Sequence, residues 1–236
     1  MSIPTLVLAA AWLWLRLLRS RDAKYACALG VLGYVIVLYE PTPAVMGLLF
    51  VVLTAHALWR DDLDWRTAVR STVIVVLGFG ATYAVMFAGF GFDLAATVRD
   101  IGGDAVVFNT RASRPYGGWV AQNLLDFLFG VGICQAALFC WSLGRTLVTR
   151  HLGHRGAVGR MSAFTLGTAA ALLAADLAGI SRGEVVRLWI FLACVAQVPA
   201  AYVCARLNSR VALIIVLGAT FLQNALNTSM FAFAQP

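Results

Sequence analysis

The sequence predicts an all-α, polytopic transmembrane bundle of about eight spans, with seven as the alternative count. Hydrophobic residues make up 61% of its 236 residues and charged residues only 12%, and the mean hydropathy is +0.83. A soluble domain of this length needs far more charge to cover its surface. The apolar residues also come in blocks of about twenty, the length that crosses a hydrocarbon core of roughly 30 Å.

The apolar blocks define the predicted spans and their connections. In chain order they are residues 3–18, 25–39, 44–59, 72–90, 119–142, 162–179, 185–204 and 211–228. The first block is followed, not preceded, by positive charge, which is the reverse of a signal peptide, so it is predicted to be a span. Only Glu40–Pro43 separates the second and third blocks, and its two prolines predict a tight helical hairpin. No soluble domain interrupts the blocks, so residues 1–236 are predicted to form a single transmembrane domain.

The distribution of basic residues predicts the orientation of the bundle. With the N-terminus outside, the inner loops hold 13 of the 18 Lys and Arg residues and the outer side holds five. The inner residues are Arg16, Arg19, Arg21, Lys24, Arg60, Arg66, Arg70, Arg145, Arg150, Arg155, Arg160, Arg206 and Arg210. Both termini are therefore predicted to lie outside. The basic residues that give the chain its net charge of +7 are predicted to contact anionic membrane lipid. No pattern of residues indicates binding of nucleic acid.

Two connections are long. Residues 143–161 form a basic inner loop containing His151 and His154, and residues 91–118 form an outer loop. Within the outer loop, Leu94, Val98 and Ile101 recur at helical spacing, which predicts a short amphipathic helix in the membrane interface. The loop ends in "RPYGGW", whose Pro and paired Gly end that helix.

Polar residues near the span ends collect on the predicted outer side. They are Glu40, Arg111, Arg114, Tyr116, Asn123, Asp126, Asp176, Arg182, Glu184 and Arg187. The inner half of the predicted spans holds no carboxylate. Because an ionisable group within a membrane is costly unless it is paired or faces water, this asymmetry predicts a polar pocket that opens on the outer face.

Individual candidates in that pocket have two interpretations each. Asn123 and Asp126 share a helix face at i and i+3, and they either line the pocket or bond a neighbouring helix. Asp176 is similar. Glu184 and Arg187 either pair within one helical turn, or Glu184 orients Arg182 and Arg187 toward a phosphate, whose oxygens the guanidinium fork matches.

Several chemistries have no support in the sequence. It contains no Walker loop, GxGxxG, HExxH or GxSxG motif. The five cysteines lie within or beside apolar blocks without metal spacing, as packing residues do. No metal ligand set is predicted; the cofactor is unidentified, with a divalent cation left open.

Two segments resemble a known family. "RPYGGWVAQNLLDFLFGVG" (114–132) resembles a segment of bacterial membrane glycosyltransferases of the GT-C fold, and "GISRGEVVRLWIFL" (179–192) is similar to a stretch found further on in the same proteins. The resemblance implies transfer of a sugar from a polyprenyl-phosphate donor at the outer face of the bacterial cytoplasmic membrane, in cell-envelope glycan assembly. It implies phosphate or substrate contacts for the matching Arg114, Tyr116, Asn123, Arg182 and Arg187. Asp176 joins them by its predicted position.

One departure from the family leaves alternatives open. GT-C enzymes usually carry an acidic catalytic motif in a large first outer loop, and here that connection is the short Glu40–Pro43 turn. The chain resembles the C-terminal half of such an enzyme and would need an N-terminal half or a partner subunit. Asp126 and Glu184 are the predicted catalytic residues, with Glu40, Asp104 and Asp176 as further outer carboxylates. The alternatives are a transporter or flippase for an anionic lipid or small solute, and a non-catalytic membrane subunit.

Overall fold

The computed structural model of the protein describes residues 2–60, 62–148, 156–182 and 188–230. These ranges form ten α-helices and one short 3₁₀ helix, η1, and contain no strand. The helices are α1 (Ile3–Ser20), α2 (Ala23–Tyr39), η1 (Thr42–Met46), α3 (Gly47–Trp59), α4 (Trp65–Phe90), α5 (Leu94–Arg111), α6 (Tyr116–Val131), α7 (Ile133–Val148), α8 (Ala157–Ala178), α9 (Ile190–Arg206) and α10 (Arg210–Met230). The predicted all-α class is confirmed.

Several of these helices suit a membrane. Within the described ranges, four segments are long and apolar enough to cross one, namely Ile3–Ser20, Thr42–Trp59, Trp65–Phe90 and Ala157–Ala178. A fifth is added if the bent pair α6–α7 is one span, and α2, α9 and Arg210–Gln223 are apolar but shorter. The protein therefore carries several helices suited to membrane spans, and the count of eight stays a prediction.

The core lies around α8. In the 18-residue apolar stretch of α8, 56% of the residues are buried, whereas in that of α4 the share is 0%. α8 is therefore central and α4 peripheral. α3 and α7 pack on α8, α9 packs on α7, and α1 and α4 flank α2. The largest fully buried side chains include Trp189, Phe191 and Leu49.

Two glycines permit the closest helix contacts. A Cβ on Gly167 of α8 would lie 2.9 Å from the Cα of Leu49 in α3. A Cβ on Gly30 of α2 would lie 2.7 Å from the backbone nitrogen of Phe79 in α4. Small residues of this kind let backbones approach where no hydrophobic effect drives helices together in lipid.

The predicted fifth span, 119–142, is wrong as one continuous helix. α6 and α7 meet at an angle of 111° across Gly132. This residue has φ 104° and ψ 130°, a conformation that glycine alone adopts readily, so the chain turns there. The Tyr116 hydroxyl bonds the Leu177 carbonyl near the end of α8, and Ser142 bonds Thr165 near the middle of α8. The pair thus follows α8 from its end to its middle, and a pair bent by this angle is either a broken span or a re-entrant loop.

Gln223 of α10 bridges that break. Its Oε1 accepts a hydrogen bond from the Ile133 amide at 2.8 Å, and its Nε2 donates to the Phe129 carbonyl at 2.7 Å. One side-chain amide therefore satisfies a donor at the start of α7 and an acceptor near the end of α6. Backbone groups released at a helix break need partners of this kind inside a membrane.

The connections differ from their predicted lengths. α7 continues to Val148 and α8 begins at Ala157, so much of the predicted inner loop is helical, and its residues 149–155 lie outside the described ranges. The predicted short amphipathic helix of the outer loop is the 18-residue α5. The turn at Glu40–Pro43 is confirmed, with η1 forming its second half. The tight hairpin is wrong, because α2 packs on α1 and α4, whereas α3 packs on α8.

Candidate functional site

A cavity of about 510 Å³ lies at the end of the bundle where α2 and α8 finish. We call it the Arg114 cavity. It is walled by the apolar face of α5, by η1, by the C-terminal turn of α8 and by the segments that precede α6 and α9. Its lining consists of Glu40, Pro41, Thr42, Val45, Val98, Ile101, Gly102, Asp104, Ala105, Phe108, Asn109, Arg114, Ala175, Ala178, Ile180, Ser181, Arg182 and Leu188.

Two arginines of the cavity brace each other's backbone. The Arg182 Nη1 donates to the Arg114 carbonyl at 2.8 Å, and the Arg114 Nη1 donates to the Arg182 carbonyl. The Arg182 Nε also donates to the Gly179 carbonyl at 2.9 Å. These bonds tie the turn before α6 to the turn after α8. A guanidinium has five N–H donors, so each arginine keeps donors beyond those bonds.

Aromatic rings hold the two guanidinium groups in place. The Arg114 Cζ lies 4.8 Å from the Phe108 ring centroid and 5.5 Å from that of Trp119. The Arg182 Cζ lies 5.3 Å from the Tyr116 ring centroid. Such cation–π contacts contribute about 0.5–2 kcal/mol each. Both guanidinium groups are therefore fixed in orientation before any ligand arrives.

Tyr116 occupies space that only a glycine leaves. Gly179 ends α8 with φ +61°, and a Cβ there would lie 2.7 Å from the Tyr116 Cδ2. The Tyr116 hydroxyl donates to the Leu177 carbonyl at 2.7 Å, which satisfies one of the acceptors that every helix end leaves open.

Asn109 also lines the cavity, although it is not among the site residues predicted from the sequence. It is buried near the end of α5, and its Nδ2 donates to the Ile180 carbonyl at 2.9 Å. An amide placed on the apolar face of an otherwise amphipathic helix is the signal that could have identified it, since such a group needs a partner when buried.

The carboxylates of the cavity are Glu40 and Asp104. The Glu40 Oε1 accepts hydrogen bonds from the Thr42 hydroxyl at 2.6 Å and from its amide at 3.3 Å. Asp104 is exposed at the opposite wall, on α5. With Arg114 and Arg182 these residues give the lining two negative and two positive charges.

Asn123 and Asp176 form a buried pair beside the cavity and do not line it. The Asn123 Nδ2 donates to the Asp176 Oδ1 at 3.2 Å, and each residue is only 1% exposed. The contact joins α6 to α8. Of the two interpretations of these residues, the structure supports the bond between neighbouring helices.

The remaining predicted residues lie elsewhere. Asp126 accepts a hydrogen bond from the Gln122 Nε2 at 2.7 Å and does not line the cavity. Residues three apart on a helix differ by about 60° in direction, so Asn123 can face α8 while Asp126 turns away. Arg111 is exposed at the end of α5 and is likewise not among the lining residues. Glu184 and Arg187 lie outside the described residues.

Asp93 anchors the helix that walls the cavity. It caps the N-terminus of α5 by accepting hydrogen bonds from the Ala95 and Ala96 amides and from the Tyr83 hydroxyl. The bond from the Ala96 amide, followed by that from the Tyr83 hydroxyl, lowers the pKa of the Asp93 carboxyl. The negative charge of Asp93 therefore favours α5 in its docked position.

No metal site accompanies these residues in the part of the chain that the structure describes. There, no group of three His, Cys, Asp or Glu side chains could hold an ion. Comparison of the chain with protein-family models, curated proteins and solved structures finds no match. The functional interpretation therefore depends on the geometry of the site and on the resemblance of the two motifs.

Proposed function

We propose that the Arg114 cavity binds a polyprenyl-phosphate-linked sugar, and that the protein is a GT-C-like membrane glycosyltransferase or one part of such an enzyme. It would act at the outer face of the bacterial cytoplasmic membrane, in cell-envelope glycan assembly. The observation that carries this proposal is the combination of an apolar wall with two oriented guanidinium groups and two carboxylates in one cavity.

The apolar wall suits the lipid part of such a donor. Val98, Ile101, Ala105 and Phe108 follow one another along α5 on the cavity side. Isoprenoid units packed against them would be withdrawn from water, which contributes about 25 cal/mol per Å² of apolar surface.

The arginines suit the phosphate. Their aromatic neighbours fix the guanidinium planes, and the N–H groups that do not bond backbone carbonyls remain available to phosphate oxygens. Arginine keeps its charge at any physiological pH and binds phosphate through two parallel hydrogen bonds. The guanidinium groups would stabilise the negative charge that develops on the phosphate as it leaves the sugar.

A carboxylate of the cavity would complete the reaction. As the acceptor oxygen forms its bond to the sugar C1, the bond between C1 and the phosphate oxygen breaks, and the phosphate leaves with the electron pair. The acceptor proton passes to Asp104 or Glu40 as general base. Asp104 is the stronger candidate because the Thr42 hydroxyl and amide already occupy Glu40.

Donor binding can be measured with undecaprenyl phosphate and the purified full-length protein in phosphatidylcholine nanodiscs. Binding should quench the fluorescence of Trp119, which lies beside Arg114. We expect Arg114→Gln to weaken binding about tenfold, the loss of one charge-assisted hydrogen bond. Arg111→Gln removes the same charge from a nearby residue that does not line the cavity, and this variant should bind as the unchanged protein does. Equal affinity in all three proteins would refute the phosphate assignment.

Catalysis needs a separate experiment. Membranes containing the protein are given polyprenyl-phosphate-linked radiolabelled sugars, and label in envelope glycan is measured. Asp104→Asn should reduce transfer at least a hundredfold with unchanged donor binding, the usual contribution of a general base. Unchanged transfer in Asp104→Asn and in Glu40→Gln would exclude both carboxylates as the base.

The break at Gly132 favours a second candidate, a transporter or flippase. Transporters often bind their substrates at discontinuous helices, and α6–α7 is such a helix. Translocation of fluorescent polyprenyl phosphate across proteoliposome membranes, without transfer of sugar, would support this function. Neither activity would be expected if the protein is a non-catalytic subunit.

A further inference from the structure

A second cavity, of about 630 Å³, lies at the opposite end of the bundle, where α2 and α8 begin. We call it the His56 cavity. Its polar lining residues are Arg19, Arg21, His56, Asp62, Arg160 and Tyr202. Three cations against one carboxylate make it basic, in contrast to the balanced Arg114 cavity. Its other walls are apolar and come from α1, α3, α8 and α9.

The arginines of this cavity differ in their bonding. The Arg21 Nη2 donates to the Asp62 carbonyl at 2.8 Å. The side chains of Arg19 and Arg160 make no hydrogen bond or ion pair with any residue that the structure describes. Two exposed guanidinium groups at the mouth of one cavity thus keep their donors available for a ligand.

His56 gives an independent reason to expect a ligand. This residue is 8% exposed, lines the cavity and buries its Nδ1 without a hydrogen-bond partner. A polar group that is withdrawn from water and left unpaired destabilises a fold appreciably. A ligand oxygen in the adjoining cavity would supply a partner for an imidazole N–H turned toward it.

The start of α8 adds a third feature. Ala157 lines the cavity, and the N-cap residue Gly156 has no side chain that could accept hydrogen bonds from the first amides of the helix. The positive end of the helix dipole favours an anion at such a position.

We propose that the His56 cavity binds the phosphate headgroup of an anionic membrane lipid. The guanidinium groups of Arg19 and Arg160 contact the phosphate oxygens, and the acyl chains lie against Leu15, Leu18 and Val198. The apolar walls favour a lipid over a free phosphate ion, because a small hydrophilic anion would leave them exposed to water. Basic pockets at helix ends on the cytoplasmic side commonly bind such headgroups. The inference is independent of sugar transfer.

The probe for this test is dioleoylphosphatidylglycerol, added to the purified full-length protein and counted by native mass spectrometry. Arg160→Gln and Arg19→Gln should each lower the affinity for the first bound lipid about fivefold. The matched control is Arg70→Gln, because Arg70 is an exposed arginine of α4 that does not line the cavity. The affinity of this variant for the first bound lipid should change by less than about twofold. A loss as large in the control would show that general charge, not the cavity, attracts the lipid and would overturn the proposal.

Two further arms identify the ligand. Inorganic phosphate at millimolar concentration should not displace the lipid; if it does, the site is one for a free anion and the lipid assignment is wrong. His56→Leu should also weaken lipid binding, provided that the variant elutes as a single species. Because Arg19 is exposed, Arg19→Gln should fold as the unchanged protein does, and it decides the outcome even if His56→Leu does not fold.

Discussion

Arginines at the two ends of α8 are in opposite situations. Arg182, beyond the C-terminus, donates two hydrogen bonds to backbone carbonyls and lies against an aromatic ring. Arg160, in the first turn, is exposed and bonds no described residue. A helix C-terminus presents carbonyls that an arginine can satisfy, whereas an N-terminus presents amides that it cannot. The same residue type therefore braces the fold at one end and is available to a ligand at the other.

Buried polar pairs show the same contrast and should give the largest effect. Asn123 bonds a carboxylate near the end of α8, and Ser142 bonds the Thr165 hydroxyl near the middle of α8 at 3.1 Å. Asn123→Leu leaves Asp176 buried beside an apolar residue and should destabilise the protein by about 3 kcal/mol, against about 1 kcal/mol for Ser142→Ala. Thermal unfolding in nanodiscs would measure both. A milder effect of Asn123→Leu than of Ser142→Ala would reverse the comparison.

The second-largest difference in stability is expected between substitutions of Arg182 and Arg160. Arg182→Met leaves the carbonyls of Gly179 and Arg114 without their donor and should cost about 2 kcal/mol of stability. Arg160→Met should change stability by no more than about 0.5 kcal/mol, as surface substitutions do. Equal melting temperatures for the two variants would show that the bracing bonds contribute nothing.

A smaller loss of stability is expected at the break between α6 and α7. Gln223→Leu removes both bonds across the break and should cost about 1–2 kcal/mol, with faster amide hydrogen exchange near Ile133. Gln122→Leu is the matched control, because Gln122 bonds only an acidic side chain of its own helix. Unchanged exchange at Ile133 in the Gln223 variant would argue that Gly132 alone holds the break.

The smallest effect concerns pH. Because the pKa of Asp93 lies below its ordinary value of 3.8, its contribution to the docking of α5 is fully present above that value. It is lost as the pH falls through the lowered pKa. Limited proteolysis by pepsin should therefore cut near α5 more readily at the acidic end of a series from pH 5 to pH 2. Rates are divided at each pH by the rate for an unfolded reference peptide, because the activity of pepsin itself changes with pH. On that scale Asp93→Ala should show no trend, and Asp100→Ala should behave as the unchanged protein does.

The proximity of three residues at and beside the Arg114 cavity is predictable from the sequence. Arg114, Tyr116 and Arg182 were grouped because all three stand where polar residues meet a span end, and the structure brings their side chains together. Such grouping works because membrane burial is costly for charge, so ionisable residues report the ends of helices.

Other features depend on directions around a helix and on contacts between distant segments. Asp126 was grouped with Asn123 by spacing, but a difference of about 60° was enough to separate them. The sequence does not predict the break at Gly132, because glycine is frequent within membrane helices and its presence alone does not mark a helix end. Its partner Gln223 is 91 positions away in the sequence, and only packing brings the two together.

By itself, the sequence determined the helical class, the apolar segments suited to a membrane and the turn at Pro41, because these follow from composition, length and local backbone constraints. Only the tertiary structure decided which arginines brace carbonyls and which remain available, where the fifth apolar segment turns, and that a charge-balanced cavity and a basic cavity lie at the two ends of α8. These depend on which faces meet, and a pattern along one chain does not contain that information.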